Sequence, residues 1–232
     1  MKYGFFFLFM LLAPLLKAQD LYLVPTLHRL HQVNEQYNYD SLRQLITQLN
    51  PDVIAVEIRT EDLEQDTVYL KKSYPYEMWM ERYWFPDKTI VGFDWLGSDI
   101  AGKPIPENYW QDISSIKLLQ KKLNNDSSYN TRCAPCDTLT KARLPLLQTL
   151  SLRQLLKSRD AALTNAYYIC LEAQLRHTPY AAIPAFFELR NQKILARIKA
   201  IQKRYPGKKI VVLTGADHYA YLIGRIQHVP LP

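Results

Sequence analysis

Glycine is scarce in this chain, with 7 residues in 232, and cysteine is scarcer, with three. So little glycine, with no repeat of any period, excludes a collagen-like architecture, and three cysteines in a chain of this length exclude a small disulfide scaffold. After the first twenty positions there is no 20-residue apolar span, which excludes a polytopic membrane protein. Basic residues lack clustering as well. Lys71-Lys72, Lys121-Lys122 and Lys208-Lys209 are isolated pairs in a net charge of +7, with no basic stripe, interleaved aromatics or recognition motif, so the sequence points to no nucleic-acid partner. What is present is an ordinary 48% of apolar residues in a chain long enough to bury one sizeable core, the signature of a single globular domain.

The N-terminus is the one membrane-directed segment. Met1-Lys2-Tyr3 precedes an apolar run from Gly4 to Leu16, followed by Lys17-Ala18-Gln19-Asp20. A run of this length suits a secretory signal peptide better than a transmembrane helix, and Ala18 suits the position before a cut. Removing 18 of the 232 residues leaves 214, and the loss of Lys2 and Lys17 lowers the formal charge from +7 to +5. The expectation is a secreted or periplasmic domain spanning 19–232, with no membrane contact after cleavage; an uncleaved anchor is the alternative.

Export favours disulfides. Cys133-Ala134-Pro135-Cys136 follows the polar stretch Asn124 to Arg132, which reads as a loop, and the simple expectation is a local Cys133–Cys136 disulfide stapling it. A thioredoxin-like redox pair would lie near the start of a βαβ unit, and a zinc site would need a second ligand pair. Cys170 reads as a buried thiol.

Four apolar runs read as strands. Leu21-Tyr22-Leu23-Val24, ended by Pro25-Thr26, is the first; Val53 to Ile58 is the second, after a helix containing Leu42, Leu45, Ile46 and Leu49 that Asp40-Ser41 would cap and Asn50-Pro51 would end. Thr89 to Asp94 is the third, preceded by the aromatic segment Tyr74 to Phe85, read as core more than as cleft lining. Ile210 to Thr214 is the fourth, after a helical stretch from about Ala185 to Tyr205 that Pro206-Gly207 breaks. The predicted fold is α/β: a parallel or mixed central sheet built from both chain ends, with a mostly helical insertion at about 100–185.

Each predicted strand ends near a residue able to act in catalysis or bind a metal: His28, Glu57, Asp94 and His218. In open α/β sheets the ligand crevice lies beyond the carboxyl ends of the strands, so these four should meet on one rim although about 190 residues separate the first from the last. Each also has a plainer reading. His28 can belong to a loop, Arg59 can neutralise Glu57 in an ion pair across one strand face, Asp94 can cap the turn at Trp95, and His31 can be a surface residue instead of a second ligand. Gly215 permits a sharp turn that would set His218 near the start of a helix running through Tyr221 to Ile226.

Thr26-Leu27-His28, the strand Pro51 to Arg59 and Gly215-Ala216-Asp217-His218 together resemble the TraB/Tiki superfamily, which includes erythromycin-esterase-like and ChaN-like proteins. The resemblance covers roughly residues 21–60 and 186–226. It implies His28, Glu57 and His218 as the central set, and Arg190 as an arginine recurring before the last strand. Pro25 departs from the pattern, standing where the first glycine is expected. The resemblance implies an exported hydrolase of a peptide or ester substrate. Two imidazoles and a carboxylate, His28, Glu57 and His218, would hold a divalent metal (Mn, Co, Fe or Zn) with a position open for water, oriented by Asp94 or Asp217. Without metal, the same set supports a histidine base held by Glu57, with Arg59 or Arg190 stabilising an oxyanion. The alternatives are a ChaN-like protein binding haem or another ligand without cleavage, and an inactive member acting on a partner through its helical middle.

Overall fold

The computed structural model describes residues 19–232, so the expected signal peptide lies outside the described residues. In chain order, strand β1 (Leu21–Thr26), a 3₁₀ turn (His28–Gln32), helix α1 (Tyr39–Leu49) and strand β2 (Val53–Val56) form the first unit. Helices α2 (Thr67–Ser73) and α3 (Tyr76–Trp84) lead to strand β3 (Thr89–Gly92). The insertion follows as α4 (Ser115–Asn125), α5 (Ser127–Thr149), α6 (Leu152–Lys157) and α7 (Asp160–Leu175), and the chain returns through α8 (Ala182–Arg204), β4 (Ile210–Gly215) and α9 (Ala216–Leu222).

The four strands form one parallel sheet in the order β1-β4-β2-β3, so the fold is α/β with its sheet drawn from both chain ends. The last strand inserts between the first two. Strands covered on both faces read as continuous apolar runs, and alternation assigns their faces. Ile54, Val56, Val211 and Leu213 pack with Leu42 and Ile46 of α1 and Met78 and Trp79 of α3, while Val53, Ala55, Ile210 and Val212 pack with Ile194, Ile198 and Ile201 of α8 and Leu222 of α9. A third cluster, including Leu123, Leu171, Leu175 and Ile183, is the insertion's own core. The aromatic segment divides. Tyr74, Trp79 and Phe85 are buried, whereas Tyr76 and Tyr83 are exposed.

Local chemistry sets the boundaries. Asn38, two residues before the expected cap, accepts from Ser41 N to start α1, and Asn50 ends it in the left-handed region at φ 42°. Pro25 lies inside β1 instead of ending it; β1 is an edge strand, where a residue without an N–H is tolerated. The helix expected through Tyr221 to Ile226 runs from Ala216 to Leu222, ending earlier, and His218 lies in its first turn, near the N-terminus as expected.

Two expectations about the insertion are corrected. The stretch Asn124 to Arg132 is not a loop: α4 runs to Asn125, Asp126 accepts from Tyr129 N, and α5 begins at Ser127. Its polarity reflects solvent-facing helix, and the break is a single capping residue. The disulfide joins Cys136 to Cys170 instead of Cys133, because α7 packs along α5 and brings Cys170 opposite Cys136. Cys133 is free and buried.

Candidate active site at the carboxyl rim of the sheet

Because β4 lies between β1 and β2, Gly215 at its end is flanked by His28 and Glu57. A Cβ built on Gly215 would stand 2.5 Å from His28 Nε2 and 3.6 Å from Glu57 Oε2, so only glycine allows this approach. His28 adopts φ 51°, a left-handed conformation uncommon for a side-chain-bearing residue; such strain costs on the order of 1–3 kcal/mol and persists where surrounding contacts enforce it. His31 is one such contact and is buried, not on the surface: Leu27 N donates to its Nε2 (2.9 Å) and its Nδ1 donates to Tyr37 O (2.6 Å). Burial pushes the His31 imidazole below its usual value, although the Tyr37 hydrogen bond and the Glu77 charge oppose this.

Glu57 directly follows β2 and is buried. Its Oε2 accepts from Gly215 N (2.8 Å) and Thr214 Oγ1 (3.1 Å), and its Oε1 accepts from Arg190 Nη2 (3.0 Å) and lies 3.3 Å from His218 Nε2. Burial acts to raise its carboxyl, but His218, Arg190 and His28 outweigh that and hold it well below the usual carboxylate range. Arg190 of α8 also grips Asp94: its Nη2 lies 2.9 Å and 3.1 Å from the two carboxylate oxygens, and its Nε donates to Oδ1 (3.1 Å). Asp94 additionally accepts from Trp95 N (2.7 Å), so the turn-capping role and the site role coexist. Burial raises its carboxyl, the Arg190 charge works against that, and the Glu57 charge adds to it.

The rim therefore gathers five of the six expected residues, His28, Glu57, Asp94, Arg190 and His218. Arg59 is the exception. The Ile58 N–H donates to Val56 O (2.8 Å), a tight turn that ends strand geometry after Val56, so Arg59 leaves the face of Glu57. It is buried in a bidentate pair with Asp62 (2.6 and 2.8 Å) and donates to the carbonyls of Ile100 and Lys103. The expected Glu57–Arg59 pair is thus replaced by Glu57–Arg190, and the Arg59 guanidinium is held by Asp62 and the two carbonyls instead of by Glu57. Asp217 is turned elsewhere too, accepting from Arg143 Nη1 (2.7 Å) and Tyr168 OH (3.0 Å).

Two supporting residues were not legible from the sequence. Glu77 of α3, fully buried, accepts from His28 Nδ1 at 2.8 Å. Burial would raise the Glu77 carboxyl, but the His28 hydrogen bond and charge keep it low. The His28 imidazole, although burial disfavours its charge, is raised above 6.5 by the Glu77 hydrogen bond and charge and by Glu57. Asn191 is the second: its Oδ1 accepts from His218 Nδ1 at 2.5 Å. A carboxylate inside the apolar run Tyr76 to Trp79 was the available signal for Glu77; Asn191 gave none. One turn beyond Glu77, Glu81 is buried with both oxygens unpartnered, and burial pushes its carboxyl well above the usual range.

His28, Glu57, Asp94 and Arg190 form the polar end of a cleft of about 390 Å³ whose walls include Leu96, Trp110, Phe186 and Phe187. The His28 side chain is 38% exposed, whereas that of His218 is 9% exposed and does not line the cleft. A larger groove of about 690 Å³ runs between α7, α8 and α9, with Asn191 on its wall, but it holds none of the strand-end carboxylates.

These residues fit a divalent metal poorly. Both Glu57 oxygens already accept hydrogen bonds, the Arg190 guanidinium supplies the positive charge between Glu57 and Asp94, and among the described residues no group of three His, Cys, Asp or Glu side chains is arranged to hold a metal ion. Haem fits no better. His218 is engaged by Asn191 and Glu57 and does not line the cleft, and His28 Nδ1 is held by Glu77, so of the two imidazoles only His28 Nε2 stands at the cleft and no pair of axial ligands is offered. Among the described residues no helix is long and apolar enough to cross a membrane. No protein-family model matches the chain, and no curated protein or solved structure matches it.

Proposed function

We propose that the protein is an exported, metal-independent acyl hydrolase, acting on an ester more readily than on a peptide, with His28 as general base. The observation that carries the reading is the His28–Glu77 pair at the cleft: a buried carboxylate holds Nδ1, which fixes the tautomer and leaves Nε2 to take a proton from water. The hydroxide so formed attacks the acyl carbon, and the carbonyl oxygen becomes an oxyanion beside the Arg190 guanidinium, which Glu57 and Asp94 hold in a fixed orientation. Collapse of the tetrahedral intermediate expels the alcohol, to which the His28 imidazolium returns its proton. His218 does not enter the cleft; it positions Glu57, and Asn191 positions His218.

Membership of the TraB/Tiki superfamily remains part of this proposal, supported by the meeting of His28, Glu57, Arg190 and His218 at one rim. Secretion is supported by the Cys136–Cys170 disulfide, a bond that persists in oxidising compartments. Hydrolysis of p-nitrophenyl butyrate tests the reading. The wild-type protein turns it over, and His28→Gln loses at least about 100-fold in kcat/KM, the scale of general-base catalysis; equal rates in the two proteins would remove His28 from the mechanism.

A further inference from the structure

Lys117 lies in the first turn of α4 and lines the cleft together with Ser114 and Ile116 of the same segment, while remaining solvent-exposed, which sets it at the rim. Among the described residues its ammonium makes no hydrogen bond or ion pair. The cleft's two carboxylates cannot serve it, because Arg190 already holds both Glu57 and Asp94. The cleft's apolar lining includes Leu96, Trp110, Phe186 and Phe187, and Trp95 stacks on Phe186 at 5.7 Å. Desolvation of the ammonium and the Arg190 charge both push Lys117 below its usual value. A cavity of this size is at the small end of small-molecule sites.

Resting on the hydrolase reading, the geometry points to a substrate class: a small acyl compound with an apolar body and a free carboxylate, the carboxylate held by Lys117 and the scissile carbonyl directed to Arg190 and His28. Lys117 then sets specificity. It supplies the charge-assisted hydrogen bond that a neutral analogue cannot receive.

Calorimetric titration of the purified protein with 4-phenylbutyrate and with 4-phenylbutanamide tests this without requiring turnover. The carboxylate is expected to bind about tenfold tighter than the amide, as a hydrogen bond to a charged group warrants. Lys117→Met should erase that preference and Lys117→Arg should keep it; circular dichroism checks that both variants fold. Equal affinities for the two ligands, no binding of either, or a preference that survives Lys117→Met would each overturn the proposal. Carboxylate preference without ester turnover would leave it standing while removing the hydrolase reading, and turnover without the preference would do the reverse.

Discussion

His28 and Glu77 share a 2.8 Å hydrogen bond between Nδ1 and Oε1, with the carboxylate fully buried and the imidazole open to the cleft. For the base proposed above, the pairing determines when His28 can act. A base works only when neutral, and the Glu77 and Glu57 charges raise the imidazole above 6.5, so kcat/KM should climb with pH through a midpoint above 6.5. Glu77→Gln removes the larger source of that shift; the midpoint should move down and the plateau rate fall by about 100-fold as the ring loses its orientation. The same pairing stabilises the fold below pH 6.5 and loses that contribution as pH rises through the folded value, so the stability difference between wild type and Glu77→Gln should shrink on the alkaline side. An unmoved midpoint in the variant would contradict the pairing.

Gly215 is held to glycine by space. Its backbone is ordinary at φ −54°, but a Cβ would stand 2.5 Å from His28 Nε2. Gly215→Ala should displace the imidazole and cost at least about tenfold in kcat/KM, since misplaced catalytic groups lose rate steeply. Its circular dichroism spectrum should remain that of the wild type. Full activity in the variant would show that His28 need not stay where it is.

Arg190 is the counter-ion of two buried carboxylates, Glu57 and Asp94. Removing one partner of a buried ion pair costs about 3–5 kcal/mol. Arg190→Ala should therefore unfold at markedly lower urea concentration, and Arg190→Lys, which cannot span both carboxylates with one planar group, should fall between the two. A wild-type midpoint for Arg190→Ala would mean that the carboxylates are not both charged.

The Cys136–Cys170 disulfide closes 34 residues of chain and joins α5 to α7. Loop-closure entropy assigns about 3–4 kcal/mol to a bridge of this span. Cys136→Ser should lose roughly that much stability, and Cys133→Ser much less. In a non-reduced tryptic digest, the peptide 133–141 should be linked to the one carrying Cys170; an internal Cys133–Cys136 bridge in that peptide would contradict the pairing.

The sheet was legible because its strands are covered on both faces and therefore appear as unbroken apolar runs, and the rim residues were legible because strand ends converge in any parallel sheet. Arg59 was misplaced for a local reason: spacing of two implies a shared face only while the strand continues, and the turn at Val56 to Ile58 is written in backbone hydrogen bonds that no side chain announces. Glu77 was hidden in an aromatic segment that is buried only in part, and its partner lay 49 residues away. The disulfide was misassigned because sequence proximity favours Cys133 with Cys136, whereas the packing of α7 on α5 decides the bond.

Hydrolysis of p-nitrophenyl butyrate after exhaustive treatment with EDTA tests the proposal that His28 acts without a metal. The wild-type rate should survive the chelator, gain nothing from added Mn, Co, Fe or Zn, and be lost in His28→Ala. Activity that disappears with EDTA and returns with one of those ions would contradict that proposal and would restore His28, Glu57 and His218 as metal ligands.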